Sequence, residues 1–102
     1  MPFQRVGSIQ DLPPGRVMEA ILGDRPVAVC NVAGELHAVD GICPHKGGAL
    51  GQGALHERTL VCPWHAWEYD CVTGQNLFNP AIQLRKYVVT QEGDDILVDS
   101  GG

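Results

Sequence analysis

Two short segments, Cys43-Pro44-His45 and Cys62-Pro63-Trp64-His65, each place a cysteine and a histidine within one loop, and sixteen residues separate His45 from Cys62. A chain built this way must bring two loops together. Proline follows cysteine in both; it fixes its own φ and pushes the cysteine before it into an extended conformation, so the two thiolates are preorganised. Residues i and i+2 of an extended segment point the same way, which lets Cys43 and His45 reach one centre, whereas Cys62 and His65 need a tight turn. Gly47, Gly48 and Gly51 follow the first pair and allow backbone N–H groups to approach the sulfurs without side-chain obstruction.

The order Cys, His, Cys, His is a metal-ligand inventory. Zinc takes the same four ligands, but its modules pair cysteine with cysteine and histidine with histidine, while here each loop mixes the two. Mixed loops suit a sulfide-bridged pair of irons with two thiolates on one iron and two imidazoles on the other. Replacing two thiolates by neutral imidazoles removes two negative charges, so an added electron is accommodated more easily. Such centres have potentials of about −150 to +300 mV, against about −400 mV for all-cysteine plant-type clusters.

At 102 residues and 11.0 kDa the chain reads as a single domain over residues 1–102, small enough that a metal staple would aid its folding. An apolar content of 44% and a mean hydropathy of −0.04 suit a soluble globular protein. Thirteen glycines and seven prolines favour many turns over long helices. The net charge of −5, with scattered Lys and Arg, argues against nucleic acid and against an anionic membrane surface. Neither a signal peptide nor an apolar run long enough to span a bilayer is readable, so the expected location is the cytoplasm. Of the remaining cysteines, Cys30 lies in the apolar run Val27-Ala28-Val29-Cys30 and reads as a buried thiol, and Cys71 reads as a free thiol.

Short apolar or β-branched runs punctuated by turn residues predict an all-β fold of antiparallel sheets packed as a sandwich or small barrel. Strands are expected at Phe3–Ile9, Arg16–Leu22, Arg25–Val32, Leu36–Asp40, Ala54–His56, Thr59–Val61, Trp67–Asp70, Leu84–Thr90 and Asp95–Val98, with a hairpin across Gly23-Asp24 and a turn near residues 11–15.

Most of the chain resembles the Rieske family, and specifically the Rieske-type ferredoxins of multicomponent aromatic-ring dioxygenases. Cys43-Pro44-His45-Lys46-Gly47-Gly48-Ala49-Leu50 is similar to the first ligand loop of that family, and Cys62-Pro63-Trp64-His65-Ala66-Trp67-Glu68-Tyr69-Asp70 to the second. Asn79-Pro80-Ala81-Ile82 resembles the proline loop that covers the cluster. The resemblance implies the Rieske fold, an antiparallel β-sandwich with a small cluster-binding subdomain over about residues 41–82. It implies one [2Fe-2S] cluster, with Cys43 and Cys62 on one iron and His45 and His65 on the electron-accepting iron.

Some positions depart from the respiratory members of the family. Gly48 and Trp64 replace the two cysteines that form a disulfide there, and Trp67 replaces a serine that bonds a bridging sulfide. Ala66 stands where glycine is usual. Tyr69 matches the tyrosine whose hydroxyl contacts a cysteine sulfur. The missing disulfide and serine imply a potential toward the low end of the Rieske range, against which the potential-raising bond implied for Tyr69 would act.

Once the cluster has taken its share, His37 and His56 remain, and they read as structural or surface residues. An oxygenase would need a second, mononuclear iron site with two histidines and a carboxylate, and room for a substrate pocket. The chain therefore reads as a one-electron carrier and not as an enzyme. The resemblance implies a flavin-dependent ferredoxin reductase as donor and a terminal Rieske oxygenase as acceptor, in aromatic hydrocarbon catabolism. Alternatives are the small subunit of an assimilatory nitrite reductase, a cluster-bearing redox sensor and a zinc-stapled interaction domain. Trp64 and Trp67 are candidates for either a docking surface or plain core.

Overall fold

Every side chain from Val27 to Asn31 is buried. Successive side chains of a strand point to opposite faces, so a strand with no polar face must be covered on both sides. The computed structural model, which describes residues 3–42, 49–63 and 67–99, shows that arrangement. The chain runs through β1 (Phe3–Ser8), β2 (Val17–Leu22), β3 (Arg25–Val32), β4 (Glu35–Asp40), β5 (Ala54–His56), β6 (Thr59–Val61), β7 (Glu68–Asp70), β8 (Lys86–Tyr87), β9 (Val89–Glu92) and β10 (Asp95–Asp99). Single 3-10 turns occupy Ile9–Asp11 and Leu50–Gln52. All strand pairings among the described residues are antiparallel, in three sheets ordered β1-β10-β9, β2-β3-β4-β8 and β5-β6-β7.

The four-stranded sheet is the middle layer. From one face Val27, Val29 and Ala38 pack with Leu12, Ile96 and Val98, which belong to or lie beside the terminal sheet. From the other face Ala28, Cys30 and Val39 pack with Leu55, Leu60, Cys62, Tyr69 and Cys71 around the β5-β6-β7 sheet. Each fully buried valine contributes on the order of 1.5–3 kcal/mol relative to exposure. Two-residue turns set the strand registers. Leu22 pairs with Arg25 across Gly23-Asp24, as expected, and Val32 pairs with Glu35 across Ala33-Gly34. Ala33 and Gly34 both have positive φ (53° and 95°), the geometry whose twist suits a tight hairpin. Asn31, itself buried, steadies this turn by accepting the Gly34 N–H at 2.8 Å and donating to the Leu12 carbonyl at 2.8 Å.

The all-β, antiparallel expectation is borne out, with two boundary corrections. The first strand ends at Ser8, because the Ser8 hydroxyl accepts the Gln10 N–H and caps a 3-10 turn. The single strand expected over Leu84–Thr90 is two strands in different sheets. β8 pairs with β4, β9 pairs with β10, and the chain crosses at Val88, whose side chain is 62% exposed. The Val88 carbonyl still accepts the Asp99 N–H at 2.9 Å, so its backbone is held while its side chain is outside.

Two features fix the sheet that leads to the second ligand loop. Gly53 has an ordinary φ of −80°, but a Cβ there would sit 2.0 Å from the Val61 carbonyl oxygen, so glycine is required by close approach. Asp70 ends β7 and organises the following turn. Its Oδ1 accepts the Val72 N–H at 2.9 Å, and its Oδ2 accepts from Arg58 Nε at 2.9 Å and Arg58 Nη2 at 2.8 Å. Burial would raise the Asp70 carboxyl, but the bonds from Arg58 and Val72 outweigh it and hold the group below the usual carboxylate range.

Gly53→Ala should cost about 2–3 kcal/mol, the penalty for forcing a methyl into a packed site, read as a lowered midpoint in denaturant at unchanged slope. Because the Asp70 pKa is lower folded than unfolded, its contribution is fully present above the unfolded value and is lost as pH falls through the folded one. Asp70→Asn should therefore lower stability by about 1 kcal/mol or more at neutral pH, and the two proteins should converge in acid when thermal midpoints are followed against pH.

Candidate metal centre

Cys62 is the one candidate ligand among the described residues; Cys43, His45 and His65 lie outside them, as do Gly47, Gly48, Trp64 and Ala66. The structure does show how both ligand segments are entered and left. Cys62 directly follows β6, is 1% exposed, and donates its N–H to the Trp67 carbonyl at 2.7 Å. That bond continues the β6–β7 ladder by one step beyond the Val61–Glu68 pair, so residues 63–66 start and finish at a closed base. Residues 43–48 start and finish in the same way. Ile42 and Ala49 form an isolated antiparallel bridge, and Leu50 N–H donates to the Gly41 carbonyl at 2.9 Å.

The two bases lie side by side. Leu50, just past the first loop, and Cys62, at the start of the second, belong to the same buried cluster. Ala54 pairs with Val61, and Gly53 bonds back to the Leu50 carbonyl at 3.0 Å while lying against the Val61 carbonyl. The segment leaving the first loop thus runs alongside the strand entering the second. Gly51 has a role other than the expected one of freeing N–H groups near sulfur. It is buried against β2, and a Cβ there would lie 2.5 Å from Glu19 Cα.

A third segment stands beside the second loop. Leu77 N–H donates to the Glu68 carbonyl at 2.9 Å, and Asn76 N–H to the Ile82 carbonyl at 2.9 Å, which closes residues 77–81 as a loop. Asn76 Oδ1 accepts the N–H groups of Phe78 at 2.8 Å and Asn79 at 2.9 Å, and Asn79 Oδ1 accepts that of Ala81 at 3.1 Å. This is the segment that contains Asn79-Pro80-Ala81-Ile82. Its anchor, the buried Asn76, is a residue that sequence reasoning missed; its only signal was an amide side chain four residues before a proline. Tyr69 is fully buried in the cluster that holds Cys62, and Trp67 packs against that cluster partly buried.

The other candidates fall away from this centre. His37 is on β4, with Nε2 2.6 Å from Glu35 Oε1 and Nδ1 3.2 Å from Lys86 Nζ; lysine only donates, so Nδ1 accepts and Nε2 carries the proton toward Glu35. His56 is exposed at the end of β5. Cys30 and Cys71 are buried free thiols.

The donor chemistry fits an asymmetric two-iron cluster. One buried candidate, Cys62, stands at a closed loop base, and the three other candidates fall in two segments whose bases adjoin. No group of three possible metal ligands exists among the described residues, so this centre has no competitor there. Likewise, no helix among them is long and apolar enough to cross a membrane.

Comparison with known proteins agrees with this geometry. Residues 3–88 match the Rieske [2Fe-2S] domain family. The ferredoxin component of biphenyl 2,3-dioxygenase from Rhodococcus jostii (strain RHA1) is 40% identical over 104 residues, covering 100% of this chain and 96% of that protein. The ferredoxin component of the naphthalene 1,2-dioxygenase system from Pseudomonas aeruginosa is 30% identical, covering 90% of this chain and 89% of that protein. Among solved structures, the ferredoxin of carbazole 1,9a-dioxygenase from Nocardioides aromaticivorans IC177 superposes with a TM-score of 0.88 at 25% identity, over 97% of this chain and 98% of that one. A β6–β7 hairpin with a cysteine at its closed base, a second closed loop beside it and these likenesses lead to one conclusion: the chain belongs to the Rieske [2Fe-2S] domain family.

Proposed function

We propose that this chain is a one-electron carrier whose [2Fe-2S] cluster is held by Cys43 and Cys62 on one iron and His45 and His65 on the other, within a single domain whose cluster-binding part spans about residues 41–82. It takes electrons from a flavin-dependent reductase and delivers them to a terminal ring-hydroxylating oxygenase. The observation that carries the reading is Cys62, buried at a closed loop base in the same cluster as Leu50, which leaves the other ligand loop. The names of the relatives, ferredoxin components of dioxygenase systems, supply the setting.

When bound, the cluster supplies a site that gains and loses one electron with little nuclear rearrangement. The chain's own residues do the rest. The closed bases at Ile42–Ala49 and Cys62–Trp67 hold the ligand loops in fixed relation to the β5-β6-β7 sheet, which limits how far the ligands can shift between oxidation states. Tyr69, buried in the same cluster as Cys62, is positioned to screen the thiolate side from water and to stabilise its charge.

Cys43→Ser or His65→Ala should abolish the native visible absorption and electron paramagnetic resonance signal while the β-sheet circular dichroism persists. Either variant keeping full absorption and electron transfer would refute the ligand set. Tyr69→Phe should retain the cluster and shift its reduction potential downward in voltammetry. Reconstitution with a cognate reductase and oxygenase should give substrate turnover that depends on this chain; redox-dependent binding without turnover would identify a sensor instead.

A further inference from the structure

Among the described residues, one buried side-chain atom has no hydrogen-bond partner: Nδ2 of Asn76, a residue 3% exposed. Its orientation is fixed. Asn76 Oδ1 accepts the N–H groups of Phe78 and Asn79, and only the oxygen of an amide can accept, so the NH2 group must face away from that turn and into the interior. Buried donors in native proteins are almost always paired, because one left bare has given up its hydration for nothing. This one calls for an acceptor beyond the described backbone and side chains.

The strand register shows which face the donor is on. Leu60 pairs with Tyr69, and Tyr69 pairs with Asn76, so the three side chains stand in one row on one face. The Tyr69–Asn76 pair is the closely spaced kind, since the flanking bonds run from Asp70 N–H to the Gln75 carbonyl and from Leu77 N–H to the Glu68 carbonyl. Cys62, two residues past Leu60, lies on that same face and one rung nearer the second ligand loop. The Asn76 amide extends toward the same end, because Phe78 and Asn79, whose N–H groups it accepts, follow Leu77 out of the ladder. The unpaired donor and the buried cysteine therefore share one face and one end of the sheet.

We propose that Asn76 tunes the cluster: its Nδ2–H donates to an anionic sulfur on the Cys62 side, the thiolate or the sulfide next to it. The proposal rests on the ligand reading above. A donor aimed at such a sulfur gains most when an added electron makes the sulfur more negative, so the bond favours the reduced state and raises the reduction potential. The same side chain has a second consequence. Its oxygen is committed to the 77–81 loop, so with its nitrogen on the cluster it ties that loop to the metal centre, and cluster binding and loop order reinforce one another.

Cell-free synthesis with asparagine carrying nitrogen-15 in its side-chain amide labels Asn31, Asn76 and Asn79. The cluster-loaded protein is reduced with dithionite and measured by pulsed electron paramagnetic resonance. The expected spectrum contains a nitrogen-15 hyperfine coupling that disappears in Asn76→Ser. Serine keeps a side-chain oxygen for the turn and lacks the NH2 group. Asn76→Ser should also retain the visible absorption and shift the reduction potential downward in voltammetry. A wild-type spectrum without the coupling, which needs no variant, would overturn the proposal, as would a coupling that persists in Asn76→Ser or a potential that does not move. Couplings from two histidine ring nitrogens, unlabelled and so distinct in frequency, test the ligand set in the same sample. Histidine couplings without the asparagine coupling refute the role of Asn76 alone; the asparagine coupling without them refutes the ligand set and leaves the bond to sulfur standing.

Discussion

The need to cover β3 on both faces dictates the arrangement of this protein. A strand buried at five successive positions, Val27 to Asn31, cannot lie at a surface, and the chain meets the requirement by placing a sheet on each side of it. One cover is the terminal sheet β1-β10-β9. The other is the β5-β6-β7 sheet, and its burial against Ala28, Cys30 and Val39 fixes where Cys62 stands. On the proposed ligand set, the metal centre thus takes its position from the packing between two sheets.

The ligand loops are insulated from that packing in a particular way. Each leaves and re-enters the scaffold through a backbone hydrogen bond or bridge at its base, and each base adjoins the other through Gly53. On the proposed ligand set, the loops carry the chemistry, and the ladder beneath them carries the geometry. A family with this plan can vary its loops, and so its electronic surroundings, without redesigning the sheets. The departures at Gly48, Trp64, Ala66 and Trp67 all fall in or next to the loops.

Much of this was legible in the sequence because the informative residues are local. Cysteine, proline and histidine at short spacing point to the family without knowledge of the fold, and the apolar run Val27–Cys30 reads as a strand with a buried thiol. Features set by distant contacts were not legible. Leu84–Thr90 contains no glycine or other turn signal after Leu84, so nothing local marks Val88 as the crossing between two sheets; the break exists because β4 and β10 claim adjacent stretches of the same run. Gly53 resembles a turn glycine, yet it is required by the Val61 carbonyl, which a linear reading cannot place.

The crossing at Val88 also bears on how the molecule comes apart. Tyr87 is bound into the middle sheet, Val89 into the terminal one, and Val88 itself anchors Asp99 through its carbonyl. With one residue between two ladders there is no slack for either sheet to peel away while its neighbour stays intact. Melting of the terminal sheet must pull on β4, and through β4 on the approach to the first ligand loop. Loss of order in the terminal sheet is therefore mechanically coupled to the segment that enters the first loop.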